Sequence, residues 1–241
     1  MIPLKDDNPT RRTPGLTYAL IATCVLVHLW QLSLGQDSAK WAIYTLGTIP
    51  AALFDTGSIE FQRGLEQIGA LPPAATIVTS MFMHGGLMHL AGNMLYLWIF
   101  ADNIEDRLGH VRFILFYFIC GTVAVFAHAL SNMNSQVPMV GASGAISGVL
   151  GAYLLLYPRA HVLVLIPLGF FSQIVHLPAM LVLGLWFVLQ LVQSMLTGGG
   201  AGVAFGAHIG GFVAGMALLA LFLPSRLAQA PGARRDSHDN L

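Results

Sequence analysis

Val111-Arg-Phe-Ile-Leu-Phe-Tyr-Phe-Ile-Cys120-Gly-Thr-Val-Ala-Val-Phe-Ala-His-Ala-Leu130 carries one charged side chain, Arg112, at its very start. A membrane-crossing helix needs about 20 mainly apolar residues, and this stretch supplies them. Working outward, further apolar runs cover 16–34, 87–100, 141–157, 178–196 and 203–223. The run 87–100 is ended by Asp102, Glu105, Asp106 and Arg107, and 141–157 is short and rich in small residues. The whole chain agrees: 56% of its 241 residues are hydrophobic and only 9% charged, against about 25% charged in average soluble proteins. Mean hydropathy is +0.71. Such a composition excludes a disordered chain, which needs high charge. With eleven basic against eleven acidic residues, there is no basic excess to meet nucleic-acid phosphates. The expectation is an all-α membrane protein, a bundle of six transmembrane helices.

Six crossings put both termini on one side. Placing them in the cytoplasm gives the inner segments Lys5, Arg11, Arg12, Arg107, Arg112, Arg159, Arg226, Arg234 and Arg235, and leaves only Lys40 and Arg63 outside. That asymmetry obeys the positive-inside rule. The expected layout is an inner N-terminal segment at 1–15, the spans within 16–223, and a polar inner tail at 224–241. A long first outer loop covers 35–80; its apolar part, with Trp41 and Tyr44, suits the membrane interface. The stretch 161–171 is apolar but interrupted by Pro167 and Gly169; it reads as a re-entrant or interfacial segment. Cys24 and Cys120 sit in apolar runs and read as buried free thiols.

Polar residues inside a membrane are costly and usually functional. No acid lies between 111 and 223, which argues against a proton or cation transporter. Histidines are present instead: His28, His84, His89, His128 and His208. His89 and Asn93 are four apart, so they share a helix face. They serve either as interhelical hydrogen-bond glue or as donors aimed at a developing oxyanion. His84 is about 140° around a helix from His89, so the two make no paired metal face. Gly141-Ala-Ser143-Gly144-Ala-Ile-Ser147-Gly148 opens the fourth run. Gly144, Gly148 and Ala152 offer a small-residue packing face. Ser143, at a helix N-terminus, has free N–H groups and a dipole that favours negative charge. In Ala207-His208-Ile-Gly-Gly211-Phe-Val-Ala-Gly215, His208, Gly211 and Gly215 share a face. Glycine faces on the fourth and sixth helices would let a serine hydroxyl reach a histidine nitrogen.

The stretches His84-Gly-Gly-Leu-Met-His89-Leu-Ala-Gly-Asn93, Gly141-Ala-Ser143-Gly144 and Ala207-His208-Ile-Gly-Gly211, in this order, resemble the rhomboid family of intramembrane serine proteases. Asn103-Ile-Glu-Asp-Arg-Leu-Gly109 resembles its bacterial members. The resemblance covers roughly 76–222. It implies Ser143 as nucleophile and His208 as general base, a dyad without a third acid. It also implies an oxyanion hole from His89, Asn93 and the Ser143 N–H, with support from His84, Gly141, Gly144, Gly211 and Gly215. Two departures stand out. Some members carry an aromatic residue one turn after the serine, stacked on the base; here the position is Ser147, so His208 needs another support. The first outer loop also lacks a Trp-Arg pair seen in some members.

The resemblance implies cleavage of transmembrane segments in single-span or polytopic membrane proteins, near the outer face, through an acyl-enzyme. It implies a bacterial inner membrane, the lipid bilayer as surroundings, and no cofactor, metal or nucleic acid. Two rival readings are a non-catalytic binder of membrane segments, acting as chaperone or degradation adaptor, and a small-solute transporter.

Overall fold

A computed structural model describes residues 1–168, 171–197 and 204–224; the tail expected at 224–241 lies outside the described residues beyond Pro224. The helices long and apolar enough to cross a membrane number four among the described residues: α1 (Gly15–Ser33), α7 (His110–Ser131), α9 (Ala179–Thr197) and α10 (Phe205–Phe222). Two further helices pack against these. α6 (Leu87–Leu108) is long but carries charges in its last two turns, and α8 (Ser143–Leu156) is short. The protein is a mostly helical membrane protein.

α6 runs eight residues past the expected end of its apolar run, straight through Asp102, Glu105, Asp106 and Arg107. The reason is a pairing that no local pattern reveals. The Glu105 carboxylate, 1% exposed, accepts hydrogen bonds from the Leu16 N–H at 2.9 Å, the Thr17 N–H at 2.7 Å and the Thr17 hydroxyl at 2.7 Å. His110 Nδ1 lies 2.5 Å from Glu105 Oε1, the oxygen that also accepts from Leu16. Glu105 thus caps α1, whose own cap position, Pro14, offers no side-chain acceptor. A helix N-terminus has orphan N–H groups and a positive dipole end, so it offsets the cost of burying this charge.

The stretch between α1 and α6 is built of α2 (Gln36–Leu46), α3 (Pro50–Leu53), α4 (Ile59–Gln67), α5 (Pro73–Thr79) and a 3₁₀ turn at Ser80–Phe82. It is fastened to the start of α8. Thr48 and Met139 exchange both backbone hydrogen bonds, at 3.1 and 2.7 Å, and the Gly141 N–H donates to the Ser80 carbonyl at 2.9 Å. Trp41 and Tyr44 are exposed.

The all-α expectation needs one correction. The stretch expected to be re-entrant or interfacial is a strand over its described part: β2 (His161–Leu168) and β3 (Phe171–Pro178) pair antiparallel, and β1 (Ile2–Asp6) adds to β2, giving the order β1-β2-β3. Burial alternates along β2 as successive side chains point to opposite faces: Val162 and Val164 are fully buried, while Leu163 and Leu165 are only partly so. Tyr153 donates to Asp6 at 2.5 Å, and Asp7 accepts from the His161 N–H at 2.7 Å. Burial outweighs the Tyr153 bond and pushes the Asp6 carboxyl above the usual range, whereas the His161 N–H holds Asp7 below it.

The site depends on how α8 sits. Its residues Gly144–Tyr153 are all buried, with α7 on one side and α10 on another. A Cβ on Gly211 would strike the Gly144 carbonyl, one on Gly215 the Gly148 carbonyl, and one on Gly151 the Phe212 carbonyl. Helices α8 and α10 therefore meet backbone to backbone over two turns, an approach that only small residues permit.

Candidate active site

Ser143 is the first residue of α8, and His208 lies one turn into α10. The glycine contacts below them draw the two helices together. His208 Nε2 stands 2.8 Å from Ser143 Oγ, within the hydrogen-bond reach that a base needs to take a nucleophile's proton. The serine hydroxyl donates when Nε2 is unprotonated. The other ring nitrogen, Nδ1, lies 2.7 Å from Gln190 Oε1 on α9. An amide oxygen only accepts, so Nδ1 carries the proton and Nε2 presents its lone pair to the serine.

The remaining residues expected at the site gather on the same side. Gly141 adopts φ +128°, a region that favours glycine. A Cβ there would also fall 2.8 Å from Cε1 and Nε2 of His89, and 3.7 Å from Ser143 Oγ. His89 thus turns its Nε2 edge toward the loop that leads into Ser143. Its Nδ1 accepts from the Gly85 N–H at 3.4 Å, which leaves Nε2 as the proton-bearing nitrogen and a donor. Asn93 is buried and spends one N–H on the His89 carbonyl at 3.0 Å. The first N–H groups of α8 have no intrahelical acceptor, and the dipole places partial positive charge there.

His84 is not at the reacting atoms. It is buried behind His89, its ring 5.3 Å away edge-on, and exchanges backbone-to-amide bonds with Gln31 of α1 at 3.1 and 3.2 Å. It ties the loop before α6 to α1. Gly144, Gly211 and Gly215 act as the close-approach points already described. Ser147 donates to the Ser143 carbonyl at 2.6 Å and does not touch His208.

Three residues that hold His208 escaped the sequence reading. Gln190 is one. The Trp186 ring lies 6.0 Å from that of His208 at 33°, and Phe205 stands edge-on at 6.2 Å. Together they take the place of an aromatic residue at position 147. The available signal was Gln190 itself, an amide inside an apolar run where polar groups are rarely idle.

A cavity of about 40 Å³ adjoins the serine, lined by Ser80, Gly141, Ser143, Gly144 and Ala207 among others. It has room for water and polar groups to hold it. Among the described residues no cluster of His, Cys, Asp or Glu is arranged to hold a metal ion.

The family model for the Rhomboid domain matches residues 73–225. The chain belongs to the rhomboid family. This rhomboid protein is 41% identical over 78 residues to rhomboid protease GluP of Bacillus subtilis, covering 32% of this chain and 15% of the relative. It is 36% identical over 78 residues to putative rhomboid protease YdcA of the same organism, covering 32% and 39%. It is 35% identical over 95 residues to the mitochondrial rhomboid protein 1 of Saccharomyces cerevisiae, covering 38% and 28%. The matched stretches span well under half the length of these relatives. Some rhomboid relatives are named as proteases and several as mitochondrial proteins.

Proposed function

We propose that this rhomboid protein is an intramembrane serine endopeptidase that cleaves transmembrane segments of membrane proteins through an acyl-enzyme. The observation that carries the reading is the 2.8 Å contact between Ser143 Oγ and a His208 Nε2 whose tautomer leaves it free to accept. A substrate backbone unwinds locally and presents its carbonyl carbon to Ser143. Oγ attacks that carbon as His208 Nε2 takes the hydroxyl proton. The resulting oxyanion receives hydrogen bonds from the Ser143 N–H, His89 Nε2–H and the second N–H of Asn93. His208 then returns its proton to the leaving amine, and the C–N bond breaks. A water repeats the sequence on the acyl ester, with His208 again as base, releasing the acid and restoring Ser143. The cavity beside Ser143 is a ready place for that water.

α6 and α8 join the four long helices as crossings. α8 can begin below the membrane surface because protein and water satisfy its N-terminus. The side bearing nine of the eleven Lys and Arg residues is the cytoplasmic one, which puts both termini in the cytoplasm and the serine toward the outer face of an inner membrane. The test is cleavage of a single-span model substrate by the purified chain in proteoliposomes. Specific fragments are expected, and a folded chain that binds the substrate without cutting it would point to the non-catalytic binder instead. In the same assay Asn93→Ala lowers turnover by about 10²-fold or less, since other oxyanion donors remain. Wild-type turnover in that variant would remove Asn93 from the oxyanion hole.

A further inference from the structure

A histidine base needs its second nitrogen held. Soluble serine proteases use a buried Asp, and replacing it by a group that leaves the wrong tautomer costs about 10⁴-fold in rate. Here no acid lies anywhere between 111 and 223. Instead α9 presents two groups from one face, four residues apart: Gln190, whose Oε1 is 2.7 Å from His208 Nδ1, and Trp186, whose ring lies 6.0 Å from the imidazole. Gln190 is 8% exposed, so its oxygen meets the imidazole with little competition from water.

We infer that Gln190 is the positioning residue for the base, a neutral third member that fixes the tautomer and ring plane of His208 in place of a carboxylate. The inference rests on the proposed serine-protease reading. An amide oxygen accepts the Nδ1–H bond as a carboxylate would, but brings no charge into an apolar site where an unpaired carboxylate would be costly. The orientation of the amide matters. Its nitrogen placed against Nδ1 would force the proton onto Nε2, and His208 could then take nothing from Ser143. Gln190 touches neither the substrate nor the reacting atoms; it acts through His208. Because Gln190 and Trp186 both ride on α9, the base is aligned only while α9 is seated against α10. Of the four long apolar helices, α9 is the one least buried within the protein.

The test uses the full chain in proteoliposomes, with wild type, Ser143→Ala, Gln190→Leu and Gln190→Glu. Each is measured for kcat and KM on a single-span substrate, and for labelling by a fluorophosphonate probe. Gln190→Leu keeps the bulk and removes the acceptor; kcat is expected to fall about 10²-fold with KM unchanged, less than the cost of a wrong tautomer. Gln190→Glu restores an acceptor oxygen, and its kcat is expected to return to within about tenfold of wild type. Wild-type kcat in Gln190→Leu would overturn the inference while leaving the protease reading intact. So would equal loss in the Leu and Glu variants with KM raised in both, the mark of a packing role. A wild type that neither cuts nor labels would overturn the protease reading, and the role of Gln190 with it.

Discussion

Replacing Ser143 by alanine is expected to reduce cleavage of a transmembrane substrate to background, by at least about 10⁴-fold, with the fold unchanged. The magnitude follows from soluble serine proteases, where loss of the nucleophile removes about six orders of magnitude in kcat. The fold is spared because the serine hydroxyl bonds to His208 at 2.8 Å rather than to the backbone of a neighbouring element, and Ser143 is only half-buried at the mouth of α8. The backbone of α8 keeps its contacts to α10 through Gly144 and Gly148, which do not involve the hydroxyl. Thermal unfolding of the variant within a few degrees of wild type, together with full loss of fragments, is the result to look for. Undiminished cleavage would dismiss Ser143 as nucleophile.

The second large effect concerns no reactive group at all. Gly215→Val is expected to destabilise the protein by about 3 kcal/mol or more and to abolish cleavage. A Cβ at 215 would fall on the Gly148 carbonyl, backbone rather than a side chain that can swing away. Overpacking a tight interface costs about 1–3 kcal/mol even where side chains can move, and here a whole helix must shift. Pushing α10 off α8 also lengthens the Ser143–His208 distance, so activity is lost even at temperatures where the variant stays folded. Gly184→Ala on α9 is the control: nothing lies within 4 Å of its added Cβ, and an alanine in a helix is the better former by up to about 1 kcal/mol. Thermal melts in detergent paired with the cleavage assay distinguish the two substitutions. A Gly215→Val protein as stable and active as wild type would contradict the backbone-to-backbone packing of α8 and α10.

Much of the fold was legible because membrane helices leave a compositional trace. The runs 16–34, 111–130, 178–196 and 203–223 correspond to α1, α7, α9 and α10 within a few residues. The end of α6 was not legible, since Glu105 is tolerated there only because it caps α1, 88 residues away along the chain at Thr17. The sheet was hidden for a similar reason. A short apolar run such as 161–168 has no distinctive period by itself, and one of its two partner strands, β1, lies at the far end of the sequence. At the site, Ser143, His208, His89 and Asn93 stood out as polar groups at helix ends among glycines. Gln190 did not, because its meaning depends on which face of α9 meets α10, and that is a tertiary fact.

Activation of Ser143 as a nucleophile by His208 is read out by fluorophosphonate labelling, with the modified residue located by mass spectrometry. Wild type and His208→Ala are compared as folded protein in proteoliposomes. A phosphonyl group is expected on Ser143 in the wild type and none in His208→Ala. Labelling of a different serine, or equal labelling of Ser143 without the histidine, would contradict that activation.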